Sequence, residues 1–396
     1  MAKEKMETKI IDANTEEITY QTEDRIVTID DLIKATKVDL DIWEILNFSC
    51  NKWEAFTVSE SGEPQPFPLF QVKFTTKRKN LIANFPVVQP IEINIEAMTY
   101  AELPKRELEK ALVLSDLHVG FRRNLETNAL QPFHDRKAIA LAISMAKDTQ
   151  PNLIIINGDV LDLSMFSDKF LREPEFYFTT QPALIEANWI LGQLRLACPN
   201  SKIVLLAGNH DDRLRKSLIT HYLEAYSLKT VGDEQEIPVL SLQKLLNLDK
   251  LGVECVENQS TGYWINENLL AKHGDKARSE NGATTREFLK DIRCSVLVGH
   301  IHRIESIYKT VQGKDIRKTY SATSLGCLCR IDGFVPGSEH GCNWSQGLGF
   351  VDYEPGNGFF SISPVSIYDG QAVYNGKIYR GVNYRNSLQK DTKKNF

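Results

Sequence analysis

Five apolar runs of strand length, each closed by Asp, Asn or His, constrain this chain more tightly than any other feature. Residues 111–114 lead into Ser115-Asp116-Leu117-His118, and residues 153–156 into Asn157-Gly158-Asp159. Residues 203–207 lead into Gly208-Asn209-His210-Asp211, and residues 269–271 into Lys272-His273-Gly274. Ser295–Val298 leads into Gly299-His300-Ile301-His302. Helical patterns stand between the runs, at 135–147, 182–197 and 284–292. Strands alternating with helices imply an α/β sheet that is largely buried. In such a sheet the loops at the carboxyl ends of the strands open on one crevice. After His302 only strand patterns follow, at 305–311, 318–323, Gly347–Tyr353 and 358–363, so the expected architecture is a β-sandwich flanked by helices.

A pair of divalent ions accounts for this mixture of side chains. Imidazole suits borderline ions, and a carboxylate oxygen can bridge two of them. Two ions held ~3.5–4 Å apart clamp a phosphoryl group and activate the water between them. The two-residue spacing of Asp116 and His118, and of His300 and His302, puts both side chains on one side of an extended segment. Glycines at 158, 208, 274 and 299 let the backbone turn sharply beside the ions. Any one of these histidines alone is as easily a core or surface residue. As a set, Asp116, His118, Asp159, Asn209, His273, His300 and His302 are expected to bind metal.

The series Asp-x-His, Gly-Asp, Gly-Asn-His-Asp, a lone His and Gly-His-x-His resembles the calcineurin-like metallophosphoesterases, over about residues 111–365. The resemblance implies a four-layer αββα sandwich and two divalent ions, Mn foremost, with Fe, Zn, Ni or Mg as alternatives. It implies that Asp116, His118 and His302 hold one ion, that Asn209, His273 and His300 hold the other, and that Asp159 bridges them. It also implies that His210 stands over the phosphate, stabilising charge or protonating the leaving oxygen. Asp211 would orient that imidazole, although Asp in this place also caps helices.

Outside this region the pattern is weaker. Residues 1–25 are polar and acidic and are expected to form a flexible arm. Residues 26–100 are expected to form a small α+β domain. Thr28 and Asp31 cap a first helix, and Asp39 is placed to cap a second carrying Ile42, Trp43, Ile45 and Leu46. A strand over 70–75 then ends in Lys77-Arg78-Lys79. Two helices and a basic hairpin would make a winged-helix-like DNA-binding module; the alternative is an accessory domain. The phosphoesterase domain is expected over 108–365, with a C-terminal strand and basic tail over 366–396. Cys327, Cys329, His340 and Cys342 form a C-x-C…H-x-C pattern, either a structural zinc site or buried thiols.

The net charge of -5 argues against a globally basic surface, so nucleic acid would have to meet a local patch. The charged start lacks a leader's apolar core, no apolar run reaches the ~18 residues of a membrane span, and an odd set of scattered cysteines suggests reduced thiols. These features point to the cytoplasm, with no membrane partner, and leave a homo-oligomer open.

Three substrate readings compete. Gly-Asn-His-Asp and Gly-His-Ile-His are similar to the SbcCD-type nuclease subunits, and the whole arrangement resembles phosphoesterases of phages and prophages described as exonucleases. This favours a DNA-directed phosphodiesterase. The second reading is a phosphomonoesterase or small-molecule (cyclic nucleotide) diesterase. Gly158-Asp159-Val160-Leu161-Asp162-Leu163 departs from the Gly-Asp-x-x-Asp-Arg-Gly of Ser/Thr phosphatases. His210 stands where lipid-linked diphosphate hydrolases usually carry Arg. The third is a non-catalytic scaffold, disfavoured because no ligand is missing. Arg213, Arg330, Lys77, Arg78 and Lys79 are candidate substrate-binding cations, with Arg213 and Arg215 as readily solvated helix charges.

Overall fold

The computed structural model describes residues 5–12, 15–22, 26, 28–58, 64–78, 108–168, 173–232, 237–290, 293–314, 317–338 and 343–384. They fall into two compact units, Met1–Val87 and Val88–Phe396.

The first unit contains β1 (Lys5–Asp12), β2 (Thr15–Thr22), α1 (Ile29–Thr36), β3 (Trp43–Val58) and β4 (Pro64–Arg78). The strands form one antiparallel sheet in the order β1-β2-β4-β3. Thr28 caps α1 through a reciprocal capping box with Asp31, as the sequence implied. Two expectations are overturned. Most of residues 1–25 forms a hairpin, with Ile18 and Tyr20 alternating into the unit's core beside Leu32, Val72 and Phe74. The second helix is absent: Asp39 accepts from Asp41 N at 2.9 Å and closes a turn, and the chain then enters β3. Trp43, Ile45 and Phe48 are β-formers, and pairing along the whole of β4 outweighs the short helical spacing. Helix–turn–helix geometry is therefore not present among the described residues of this unit.

The second unit runs through β5 (Glu109–Leu114), β6 (Phe121–Arg123), β7 (Leu130–Pro132), α2 (Arg136–Thr149) and β8 (Leu153–Asn157). It continues with α3 (Thr180–Ala197), β9 (Lys202–Leu206), α4 (Arg213–His221), β10 (Val253–Val256), β11 (Tyr263–Asn266) and β12 (Leu269–Lys272). Last come β13 (Ser295–Val298), β14 (Ile304–Gln312), β15 (Arg317–Leu325), β16 (Gly347–Tyr353) and β17 (Phe360–Ser366). One sheet has the order β10-β9-β8-β5-β16-β17 and the other β11-β12-β13-β15-β14. Strands β5, β8, β9 and β10 are mutually parallel, as are β12, β13 and β15.

Strand alternation assigns the layers. On β5, Leu112 and Leu114 pack with α2 and α3, whereas Ala111 and Val113 pack with Leu269, Ala271 and Leu297 of the other sheet. Val296 and Val298 face away from that interface, toward Phe288 and Leu289 at the end of the helix Ala283–Phe288. The order is helix, sheet, sheet, helix, a mixed α/β sandwich. Parallel pairing aligns the strand ends, so the loops after β5, β8, β9, β12 and β13 meet at one edge. Among the described residues no helix is long and apolar enough to cross a membrane.

Candidate metal centre

The loops are tied to one another before any side chain is considered. Asp116 N donates to Gly158 O at 3.1 Å, His118 N to Asp159 O at 2.9 Å, and Gly299 N to His273 O at 2.9 Å. Asp116, His118, Asp159, His300 and His302 have φ of 52°, 48°, 51°, 71° and 54°. Each is in the left-handed region, where Asp and His are tolerated at a cost and strain gathers at functional sites. The paired ligands are therefore not on extended segments, as spacing alone suggested. Left-handed residues flank a central one and turn both side chains inward. Gly158 and Gly274 do have positive φ. Gly208 and Gly299 are needed for room instead: a Cβ on Gly208 would overlap the Asp159 carboxylate, and one on Gly299 would overlap Ser115 Oγ.

The structure brings Asp116, His118, Asp159, His273, His300 and His302 to one place, and Asn209 precedes His210, whose N donates to Asp159 Oδ1 at 2.8 Å. Asp116 Oδ1 lies 3.0 Å from His302 Nε2, and His118 Nε2 lies 3.1 Å from His302 Nε2. Asp159 Oδ2 lies 3.1 Å from His273 Nε2 and 3.8 Å from His118 Nε2, facing both groups. The side-chain atoms of Asp159, His273 and His300 also lie within metal-binding reach of one another.

The donor set fits divalent ions on its own evidence. Asn209 Oδ1 is buried without a hydrogen-bond partner, and Asp159 Oδ2 and His273 Nε2, though 3.1 Å apart, are not aligned to hydrogen-bond, which a fold does not retain without compensation. Other ring nitrogens are held from behind: His273 Nδ1 donates to Asn157 O at 2.8 Å, and His118 Nδ1 to Asp162 Oδ1 at 3.2 Å. Asp116, His118 and His302 thus form one group of facing donors, His273 and His300 another, and Asp159 faces both.

Electrostatics follow from burial and crowding. Burial works to raise Asp116, but His302 and His273 hold it down at about 2. Burial and the neighbouring His210 lower His118 to about 4. Burial would lower His273, yet Asp159 and Asp116 carry it up to about 10.

Asp211 does not orient His210. Its buried carboxylate accepts from Gly208 N at 2.9 Å, Leu161 N at 2.9 Å and Val160 N at 3.2 Å, and so clamps two ligand loops together. Burial and then Asp159 raise it to about 7. The carboxylate behind His210 is Asp162, whose Oδ1 accepts from His210 Nδ1 at 3.1 Å as well as from His118. Burial opposes its charge, but those two imidazoles hold it well below the usual carboxylate range. The sequence signal was available: Asp162 stands three residues after Asp159.

Arg213 is not a solvated helix charge. It is buried, donating from Nη1 to Asp162 O at 2.8 Å and from Nη2 to His210 Nε2 at 2.9 Å. Arg215 is exposed and paired with Asp212. Arg330 donates to Pro132 O at 3.2 Å, pairs with Asp332, and lies 4.1 Å over the Phe334 ring. Arg122 lies 5.4 Å over the same ring. Trp344 meets the His302 ring edge-on at 4.1 Å. Phe334, Trp344, Phe176, Cys327 and Cys329 belong to one cluster, which meets His302 through Trp344. Cys329 Sγ lies 4.0 Å from His302 Nδ1, while His340 and Cys342 lie outside the described residues, as does Lys79. Lys77 and Arg78 end β4 of the first unit.

The chain belongs to the calcineurin-like phosphoesterase family, whose pattern matches residues 110–321. It is a metal-dependent phosphoester hydrolase. Among solved structures it is similar to a purple acid phosphatase from yellow lupin (Lupinus luteus) seeds, at 7% identity and a TM-score of 0.32. That similarity covers 97% of this chain and 75% of the other, and is too slight to add to the assignment. No curated protein matches the chain.

Proposed function

We propose that the chain is a two-metal phosphodiesterase acting on nucleic acid, most simply a DNA nuclease. The observation that carries the two-metal part is that Asp159 Oδ2 faces the His273 and His300 group on one side and His118 of the Asp116, His118 and His302 group on the other. Bound ions, Mn foremost, supply Lewis acidity toward the phosphoryl oxygens. The protein's own part is to hold that constellation rigid, with Asp162 behind His118 and His210, and Asp211 locking the loops.

The nucleic-acid part rests on the wall beside His302. Arginine guanidinium groups interleaved with aromatic rings suit stacked bases and a phosphate backbone, and Arg122, Arg330, Phe334 and Trp344 have that composition. Lys77 and Arg78 would add phosphate contacts from the first unit. A cytoplasmic location belongs to the same reading. A phosphomonoesterase would use the same metal centre.

The test is a substrate panel with Mn: single- and double-stranded DNA, RNA, cyclic nucleotides, bis(p-nitrophenyl) phosphate and phosphomonoesters. Turnover of oligonucleotides and the aryl diester above monoesters is expected. Monoester turnover alone would replace the reading with a phosphomonoesterase. No turnover with Mn, Co, Ni, Mg or Zn would remove the diesterase altogether.

A further inference from the structure

We propose that a cavity behind the metal-ligand loops binds a small amphiphilic amine, an apolar body with one ammonium group, and that its occupancy strengthens metal binding. No expected metal ligand lines the cavity, so the site is separate from the hydrolytic one.

The cavity has two compartments. The inner one is a chamber of about 290 Å³, at the lower end of the ~300–1,000 Å³ typical of small-molecule sites. Leu161 and Leu163 line it from the segment after β8, Leu184 from α3, Leu214 from α4, and Leu240 and Leu242 from the chain before β10. The outer compartment, about 480 Å³, is polar and is lined by Asn258, Gln259 and Ser260. Asp212, Arg215 and Glu257 line both, so they stand at the junction. Leu161, Leu163 and Leu184 belong to the main core, whose side chains otherwise close on one another. An apolar chamber left open there, with polar groups converging at one end, is the form a small-molecule site takes. Leu163 is held in the left-handed region at φ 51°, a conformation that costs a leucine and that the fold keeps where this wall turns.

Charge at the junction selects the head group. Arg215 Nη2 donates to Asp212 Oδ2 at 3.1 Å, and Lys216 Nζ meets the same oxygen at 3.0 Å. Asp212 and Arg215 are thereby matched. Glu257 has no hydrogen-bond or ion-pair partner among the described residues. The unmatched charge between chamber and vestibule is therefore a carboxylate, which accepts and does not donate. An ammonium group complements it, whereas a phosphate or carboxylate would be repelled and would meet only an arginine already paired.

The walls of this cavity are also the clamps on one metal-ligand loop. Asp211 lines the chamber and accepts from Gly208 N at 2.9 Å and Leu161 N at 2.9 Å. Gln259 lines the outer compartment and donates to Gly208 O at 2.7 Å. Gly208 is thus held by its N–H from one compartment and by its carbonyl from the other, directly before Asn209. An occupant packed against Leu161, Asp211 and Gln259 restricts the loop that a metal ion also orders. Two events that order the same loop favour each other.

The experiment uses the full chain with Mn and three probes that share a ring and differ in head: phenethylamine, phenethyl alcohol and phenylacetate. Calorimetry should show saturable binding of phenethylamine, weaker binding of the alcohol and the weakest of phenylacetate. Methyl NMR should place the amine at Leu161, Leu184, Leu214 and Leu242. Leu214→Trp fills the chamber from a half-buried position and should abolish binding while metal content and unfolding temperature stay near wild type. Leu240→Trp fills it from the opposite wall and serves if the first variant fails to fold. Glu257→Gln should weaken phenethylamine by about 2- to 5-fold and leave the alcohol unchanged. Mn affinity should rise with saturating phenethylamine, and phenethylamine affinity should rise with Mn by the same factor. Failure of all three probes to saturate would overturn the site. Binding that persists in a folded Leu214→Trp or Leu240→Trp would overturn its location, and phenylacetate binding as tightly as the amine would overturn the ligand class. Equal Mn affinity with and without phenethylamine would overturn the link to the metal centre.

Discussion

Asp162 and Asp211 show how two buried carboxylates near one histidine divide their work. Asp211 faces backbone: Gly208, Leu161 and Val160 all donate to it. Asp162 faces imidazoles, those of His118 and His210. Their substitutions should fail differently. Asp211→Ala strands three buried donors at about 1–3 kcal/mol each before any relaxation. It should act first on stability, with urea unfolding shifted by several kcal/mol. Asp162→Asn keeps the volume and one accepting oxygen but loses the charge that holds two ring N–H groups, so His118 and His210 are oriented less firmly. It should keep most of its stability, lose metal at the Asp116 site by elemental analysis, and lose activity. Asp211→Ala that unfolds like wild type would contradict the clamp. Asp162→Asn with full metal content and full rate would contradict the orienting role.

At the scale of elements, the helical layer over the first sheet is pinned by Glu186 of α3. Its carboxylate receives His134 Nε2 at 2.7 Å, Arg136 Nε and Nη2 at 2.7 Å each, and Tyr384 Oη at 2.6 Å. Burial opposes the charge, but His134 and Arg136 outweigh it and hold Glu186 well below the usual glutamate range. A carboxylate depressed in the folded state contributes stability above its unfolded pKa of about 4.3, and loses it as pH falls toward the folded value. Glu186→Gln should therefore cost about 3 kcal/mol at pH 7. The gap to wild type should narrow at pH 3. Urea unfolding at both pH values measures it, and an equal gap at the two would show that the ion pairs are not its source. Legibility also divides by element. The strands that carry ligands were readable because both faces are buried, which leaves an apolar run ending in a polar loop. The hairpin β3–β4 was not, since apolar residues at 42, 43, 45 and 46 fit a helix and are reset by a register shift between Ile45 and Asn47. The candidate donors that the fold gathers could be picked out because metal chemistry restricts residue types. The supporting contacts of Arg213 and Trp344 were not, because Arg and Trp serve many purposes and only the folded arrangement selects one.

The whole molecule separates chemistry from its first unit. Every expected metal ligand lies between Asp116 and His302, inside Val88–Phe396, and Met1–Val87 has its own core of Ile18, Tyr20, Leu32, Val72 and Phe74. A metal centre built wholly within one compact unit does not need the other for a small substrate. Removal of residues 1–87 should leave metal content and hydrolysis of bis(p-nitrophenyl) phosphate at wild-type levels. Nucleic acid is a longer ligand, and Lys77 and Arg78 end a strand of the removed unit. If they meet phosphates, oligonucleotide affinity should fall on truncation, and its dependence on salt should become shallower by about one unit of log–log slope per lost phosphate contact. Fluorescence anisotropy across a salt series separates the outcomes. Lower affinity with an unchanged slope would mean that the unit acts by some route other than phosphate contact. Unchanged affinity would leave the wall of Arg122, Arg330, Phe334 and Trp344 as the place where the strand is held. Loss of small-diester turnover would show that the second unit needs the first to hold its loops in order.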